Sequence, residues 1–327
     1  MRLEDTNCPL CASASSREIL RACDLNTLLP GEFPLVRCAE CGMVYVNPRP
    51  APEELERFYP RHYWAPPPEE GRRAFCDRAT RRSIGLLART YPGGRVLDVG
   101  CGVGTAAALM REAGLRPVGL EPSEYACRVA RERYGLEVIC GYLGDAGLPE
   151  RSFDAVTFFD VLEHVYDPVK ELADARRLLN SGGLVVVKVP NIEALQARVF
   201  GRWWYCLDVP RHLNHFSPAT LRRALEMAGF EVVAARAVPD WLGRMTFRTS
   251  LLYWLRGRAF ERRGKRIVAQ PGEVPRELLA GRVYPGVPAV AKKVFRWLAG
   301  TAIYLPLAVE NFIRRSVQLL AIGRRRE

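Results

Sequence analysis

The chain has 327 residues, 48% of them hydrophobic, with 48 Lys and Arg against 36 Asp and Glu, a formal net charge of +12. That composition excludes a disordered or fibrous chain and fits one large α/β domain with a small appendage. A bilayer-spanning helix needs about 20 apolar residues, whereas the longest uncharged apolar run of the C-terminal part, Trp297 to Val309, has 13 and contains Pro306.

The charge is unevenly placed. Trp241 to Glu327 carries 18 basic and 5 acidic residues, so the first 240 are close to neutral. There are ten cysteines behind a polar start, MRLEDTNCPLC. These features predict a chain without a secretory signal, working in a reducing cytoplasm where paired cysteines bind metal more often than they bridge.

Cys8-Pro-Leu-Cys11 and Cys38-Ala-Glu-Cys41-Gly42 form two C-x2-C turns. Each aims two thiolates at one centre, and the pair completes a tetrahedral four-sulfur site for structural Zn²⁺. Residues 1–48 therefore read as a zinc ribbon. Cys23, Cys76, Cys101, Cys127, Cys140 and Cys206 read as ordinary buried thiols. Residues 49–94 read as a linker with N-terminal helices; its aromatic cluster Tyr59, Tyr63 and Trp64 either packs or lines a cavity.

From Arg95 to residue 240, strands and helices alternate. RVLDVG is an apolar run bounded by glycine, hence a buried strand. TAAALMREAG is a helix, RPVGLE a strand, and PSEYACRVARERYG a helix with Pro122 and Ser123 at its start and Gly135 at its end. LEVIC and FDAVTFFD are the third and fourth strands. DPVKELADARRLLNSGG is a helix, LVVVKVP the fifth strand, SPATLRRALEMAGF a helix capped by Ser217, and FEVVAARAV the sixth strand. SVQLLAIGRR, within 316–327, is a seventh. Repeated βα units predict a mostly parallel sheet with helices on both faces and a ligand at the carboxyl ends of its strands.

The turn after the first strand, VLDVGCGVGT, has glycines at 100, 102 and 104 but Thr105 where a dinucleotide fingerprint needs its third glycine. Asp98 precedes the turn. A pyrophosphate disfavours an adjacent carboxylate, whereas a ligand with a cation and amine donors suits one. S-adenosylmethionine carries a sulfonium and an ammonium. Glu121, ending the second strand, offers two oxygens to ribose hydroxyls.

On VLDVGCGVGT, GLEPS, SFDAVTFFDVLEHVYDP, LLNSGGLVVVKVPN and FSPATLRRALEMAGFEVV, in that order, the chain resembles the class I S-adenosylmethionine-dependent methyltransferases. The resemblance implies a Rossmann-like, seven-stranded, mostly parallel sheet with an antiparallel last strand. It implies that Gly100, Cys101, Gly102 and Gly104 form the cofactor loop, that Asp98 orders this loop and the methionine end, and that Glu121 holds the ribose. Asp145 matches the adenine position and Asp160 lies beside the methionine moiety. The cysteine ribbon with NPRP, FYPRHYW and PRHLNHFS is similar to a bacterial subgroup associated with cell-surface sugars and polysaccharides.

Methyl transfer is an in-line displacement in which positioning dominates; a base is needed only where the acceptor must lose a proton. His212 and His215 fall in RWWYCLDVPRHLNHFS, a connection expected over the cofactor pocket, and His164 follows the fourth strand. His212 is the first candidate for base or acceptor-orienting group, titrating near neutral pH; His215 and His164 follow. Arg211 could pair with an acceptor phosphate or carboxylate. Trp203, Trp204 and Tyr205 either stack on a sugar or anchor the loop. The expected acceptor is a small molecule or glycan, a sugar or lipid-linked cell-surface precursor.

Residues 241–315 read as a basic, apolar helical insertion before the last strand. Trp, Tyr and Arg on such helices suit a peripheral contact with the inner membrane face or a lipid-linked acceptor. The competing readings are an RNA methyltransferase, disfavoured by a ribbon that is not basic, and a catalytically idle cofactor-binding scaffold. The sequence leaves the oligomeric state open.

Overall fold

The computed structural model describes residues 1–27, 29–59, 76–238, 242–262 and 316–326. At the N-terminus, β1 (Leu3–Glu4), β2 (Ser16–Cys23), β3 (Glu32–Cys38), β4 (Val44–Val46) and β5 (Arg49–Pro50) form small antiparallel sheets, followed by the short helix α1 (Pro52–Leu55). Helix α2 (Arg78–Thr90) begins on Asp77, whose side chain accepts from the Thr80 amide.

The central unit then runs β6 (Arg95–Val99), α3 (Thr105–Glu112), β7 (Arg116–Glu121), α4 (Glu124–Tyr134), β8 (Glu137–Cys140), β9 (Phe153–Phe159), α5 (Pro168–Leu178), β10 (Leu179–Pro190), α6 (Leu195–Phe200), β11 (Asn214–His215), α7 (Pro218–Met227), β12 (Phe230–Val238), α8 (Leu242–Arg262) and β13 (Gln318–Arg325). Seven strands make one sheet in the order β12-β13-β10-β9-β6-β7-β8. The five strands from β10 to β8 are parallel; β13 runs antiparallel between β10 and β12. This is the Rossmann-like methyltransferase architecture expected from the sequence.

Local chemistry sets the boundaries. Ser123 caps α4 and Gly135 ends it with a left-handed residue. Ser217 and Thr220 form a reciprocal capping box at α7, with Pro218 in the first turn. Helix α5 stops at Leu178, earlier than its glycine pair suggested. The stretch Asn180–Gly183 belongs to β10 as an irregularity, with the Asn180 amide donating to Asp154 Oδ1 at 2.8 Å.

Alternate residues of the central strands feed two apolar layers, as expected of a sheet covered on both faces. Val96, Ala155 and Val186 pack with Ile84 and Leu87 of α2 and Leu109 and Met110 of α3. Leu97, Val156, Val185 and Val187 pack on the other face with Leu172 of α5 and Leu221 and Leu225 of α7.

The ribbon is continuous with this second layer: Cys8, Leu10, Met43 and Tyr45 share the same buried cluster. Its sheet is also completed from the core, because β11 pairs antiparallel with β4, His215 opposite Val44 and Asn214 opposite Tyr45. The boundary drawn at residue 48 therefore separates segments of sequence that share a sheet.

Of the insertion 241–315, α8 is described and packs on the connection after β10. Phe247 lies edge-on to Phe200 at 5.2 Å, and the Tyr205 amide donates to Ser250 Oγ at 2.9 Å. Residues 263–315 lie outside the described residues. No helix among the described residues is long and apolar enough to cross a membrane.

Candidate active site

The turn between β6 and α3 needs its glycines for two reasons. Gly100, Gly102 and Gly104 all have positive φ, at 64°, 54° and 83°, which L side chains adopt rarely. There is also no room at two of them: a Cβ on Gly100 would lie 2.5 Å from Val161, and one on Gly104 would lie 2.6 Å from Leu136. The turn is therefore clamped between the start of the β9–α5 connection and α4's C-terminal neighbour. Cys101 turns its thiol toward the sheet, where a Cβ on Gly119 would meet Sγ at 2.6 Å; only its backbone belongs to the turn.

Asp98, on β6 directly before this turn, is buried. Thr157 Oγ1 donates to its Oδ1 at 2.6 Å, while Oδ2 has no partner. Burial pushes the carboxyl up to about 7, the Thr157 bond works against that rise, and the charge of Glu121 adds to it. Glu121 ends β7. Its two oxygens accept from the Gly102 amide at 3.0 Å and the Ser123 amide at 2.9 Å. It ties the glycine turn to the start of α4 and still has acceptor capacity on both oxygens. Burial raises its pKa, opposed by these two amides. An orphaned acid oxygen beside three positive-φ glycines fits a ligand with a cationic amine, so these residues suit S-adenosylmethionine.

Asp160, at the end of β9, has φ 58° and pairs with Lys188 Nζ at 2.8 Å. Lys188 is buried in β10 and also bonds Asp77 at the start of α2. Asp145 is exposed in the short turn after β8. There the Cys127 and Cys140 side chains lie next to each other, their Cα atoms 6.2 Å apart. Cys127 is buried as expected, whereas Cys140 is exposed, which corrects its reading as a buried thiol.

Glu163 and His164 follow β9 and meet His212 from the connection after β10. The His164 and His212 rings lie 4.6 Å apart and nearly perpendicular, with His215 at 6.3 Å from His212. His212 Nδ1 lies 2.9 Å from the Cys206 carbonyl, and His164 Nδ1 lies 3.1 Å from the Arg211 carbonyl and 2.9 Å from Tyr59 Oη. Burial, then the neighbouring His164, holds His212 well below the ordinary imidazole range, and burial lowers His164 and His215 to about 4. Titration near neutrality is therefore corrected: these rings are neutral at pH 7. Glu163 is buried with both oxygens unpartnered.

Arg211 does not face an acceptor. It is wholly buried, donating to Asp24 Oδ1 at 2.8 Å, to the Phe58 carbonyl at 3.0 Å and, through Nε, to both oxygens of Asp208 at 3.1 Å. Against the effect of burial, Arg211 holds Asp208 down at about 2. Trp203 and Trp204 are buried in the cluster that joins this connection to the ribbon, so they anchor it. Tyr63 and Trp64 lie outside the described residues.

In the ribbon, one sulfur from each of Cys8, Cys11, Cys38 and Cys41 lies within 4.8 Å of the others, with Cys8–Cys41 at 3.4 Å and Cys11–Cys38 at 3.5 Å. Four converging thiols are the donor set of a closed structural metal site.

The sequence pattern of a methyltransferase domain matches residues 69–235, half of the chain. The chain belongs to the methyltransferase-domain family. This methyltransferase-domain chain is 34% identical over 150 residues to a probable S-adenosylmethionine-dependent methyltransferase of Mycolicibacterium smegmatis, covering 45% of this chain and 55% of that protein. It is 33% identical over 154 residues to a ubiquinone biosynthesis O-methyltransferase of a Ruegeria species, covering 44% and 62%. The chain thus spans less than two thirds of either relative. A putative methyltransferase of Bacillus halodurans with a solved structure aligns with a TM-score of 0.47 at 15% identity, over 76% of this chain and 100% of that one.

Sequence reasoning missed Lys188, Asp77, Thr157 and the Asp24–Arg211–Asp208 group. One signal was available: Lys188 is a lone charge inside LVVVKVP, and a buried strand keeps a charge only when partners wait for it.

Proposed function

We propose that this chain transfers a methyl group from S-adenosylmethionine to an oxygen of a small-molecule acceptor. The observation that carries the reading is the unpartnered, buried Oδ2 of Asp98 beside the glycine turn. An α-ammonium group would satisfy it. When bound, S-adenosylmethionine supplies a methyl group on a cationic sulfur, activated for in-line displacement. Asp98 binds the amine end, and Glu121 holds the turn in shape while accepting from ribose hydroxyls. Glu163, His164 and His212 form the acceptor wall, where neutral imidazoles orient a hydroxyl. Relatives named as O-methyltransferases support oxygen as the acceptor atom.

The finer reading is a sugar or lipid-linked precursor, supported by the resemblance of the ribbon and PRHLNHFS segments. Peripheral membrane contact through 241–315 rests on composition, as does nucleic-acid binding, which the apolar character of the segment favours less. We further propose that Cys8, Cys11, Cys38 and Cys41 hold a structural zinc ion.

The test combines calorimetry with S-adenosylmethionine and a search for labelled product in fractionated extracts supplied with isotopically labelled cofactor. His212→Ala is expected to bind cofactor normally and lose methyl transfer at least tenfold. Absence of cofactor binding by the unaltered protein overturns the reading; unchanged turnover in His212→Ala removes that residue from it.

A further inference from the structure

Glu163, His164 and His212 bring one ligand atom each to within 4.8 Å of one another. They come from two separate connections, the one after β9 and the one after β10, so the convergence is tertiary. Glu163 is 1% exposed, and neither carboxylate oxygen has a hydrogen-bond partner. Two orphaned acceptors at one buried residue are costly unless something binds them.

The two imidazoles are oriented alike. Each presents Nδ1 to a backbone carbonyl, of Cys206 for His212 and of Arg211 for His164. A carbonyl only accepts, so each Nδ1 carries the proton, with Tyr59 Oη sharing that of His164, and each Nε2 keeps its lone pair. Metal-ligating histidines are fixed in this way by their outer partners. The surroundings also favour a cation. Asp24 and Asp208 share the single charge of Arg211, and Asp208 Oδ2 lies 3.7 Å from His212 Nε2.

We propose that Glu163, His164 and His212 bind a divalent transition-metal cation through one carboxylate oxygen and two imidazole nitrogens. Two imidazoles select zinc, iron or cobalt over magnesium or calcium. Three protein ligands leave the coordination shell open, unlike the closed four-thiol site of the ribbon. That the open position takes an oxygen of the methyl acceptor rests on the proposed methyl transfer; the cation site itself does not.

The experiment is metal analysis with Co²⁺ and Zn²⁺ titration of the full chain. The expected result is two equivalents per chain, one with the near-ultraviolet thiolate-to-cobalt absorption of the ribbon and one with visible bands only. Glu163→Gln and His212→Ala should each weaken the second equivalent at least tenfold and leave the thiolate absorption intact. That absorption, with retained cofactor binding by calorimetry, certifies folding. If either variant fails to fold, the unaltered protein still decides: a single equivalent, all of it sulfur-bound, overturns the proposal. So does a second equivalent that both folded variants keep unchanged. Each of these outcomes leaves cofactor binding, and with it the reading as a methyltransferase, separately measured.

Discussion

Arg211 Nη2 donates to Asp24 Oδ1 at 2.8 Å, and neither side chain has exposed surface. Asp24 lies between β2 and β3 of the ribbon, and Arg211 lies in the connection that carries His212. This buried ion pair links the N-terminal module to the connection that carries His212, alongside the β4–β11 pairing and the shared apolar clusters. Asp208 completes it, holding the same guanidinium from the His212 side.

Breaking that pair from one side leaves a charge buried without compensation, which costs about 3–5 kcal/mol. Asp24→Ala and Arg211→Ala should each lower unfolding stability by that order in urea melts. Arg211→Lys should recover less than half, because an ammonium cannot span both carboxylates as the guanidinium fork does. A loss within 1 kcal/mol for Arg211→Ala would show that the pair does not hold the module.

Asp98 makes cofactor binding and stability oppose each other. Its carboxyl, pushed up to about 7 by burial, must ionise to bind a cationic amine. Affinity should therefore fall about tenfold per pH unit below 7. It should also decline above about 8, where an α-amino group loses its own proton. Calorimetry from pH 5.5 to 9 checks the shape; a flat profile contradicts the assignment. In the free protein the sign reverses. A carboxyl whose native pKa exceeds its unfolded value of about 4 holds more protons when folded, so its contribution to stability is lost as pH rises through 7. Asp98→Asn should melt higher than the parent at pH 8, converge with it near pH 4, and fail to bind cofactor.

The zinc ion proposed for the ribbon should be felt in the core. β11 pairs with β4, two strands from the first thiol turn. Chelation, or Cys38→Ser, should empty the four-thiol site and raise amide exchange of residues 214–215 as well as of the ribbon strands. Release should sharpen on acidification, since protons compete for the thiolates. Exchange increased in the ribbon alone would contradict the coupling.

The central sheet was legible because each βα unit is punctuated chemically: Ser123 before α4 and Gly135 after it, Ser217 and Pro218 before α7. The cofactor turn was legible because alternating glycines after a buried strand meet a need no other residue fills, here three positive φ angles and the close approach of Val161. The PRHLNHFS segment was not legible. It read as a loop over a pocket, yet Arg211 faces the ribbon and Asn214 and His215 form a two-residue strand with β4. Such pairings join residues some 170 positions apart and leave no period in the sequence. The burial that silences the histidines has the same origin, since their local sequence is as polar as any surface loop.

The position of β13 bears on how such a chain can be altered. β12 ends at Val238 and β13 begins opposite it at Gln318, so the polypeptide departs and returns across one rung of the ladder. Whatever lies between is a closed excursion from the sheet, and lengthening such an excursion costs only about 0.6 kcal/mol per doubling. Foreign sequence spliced after α8, which itself braces the connection carrying His212, would leave the glycine turn and its acids untouched. The architecture thereby uncouples acquisition of new targets from maintenance of the chemistry.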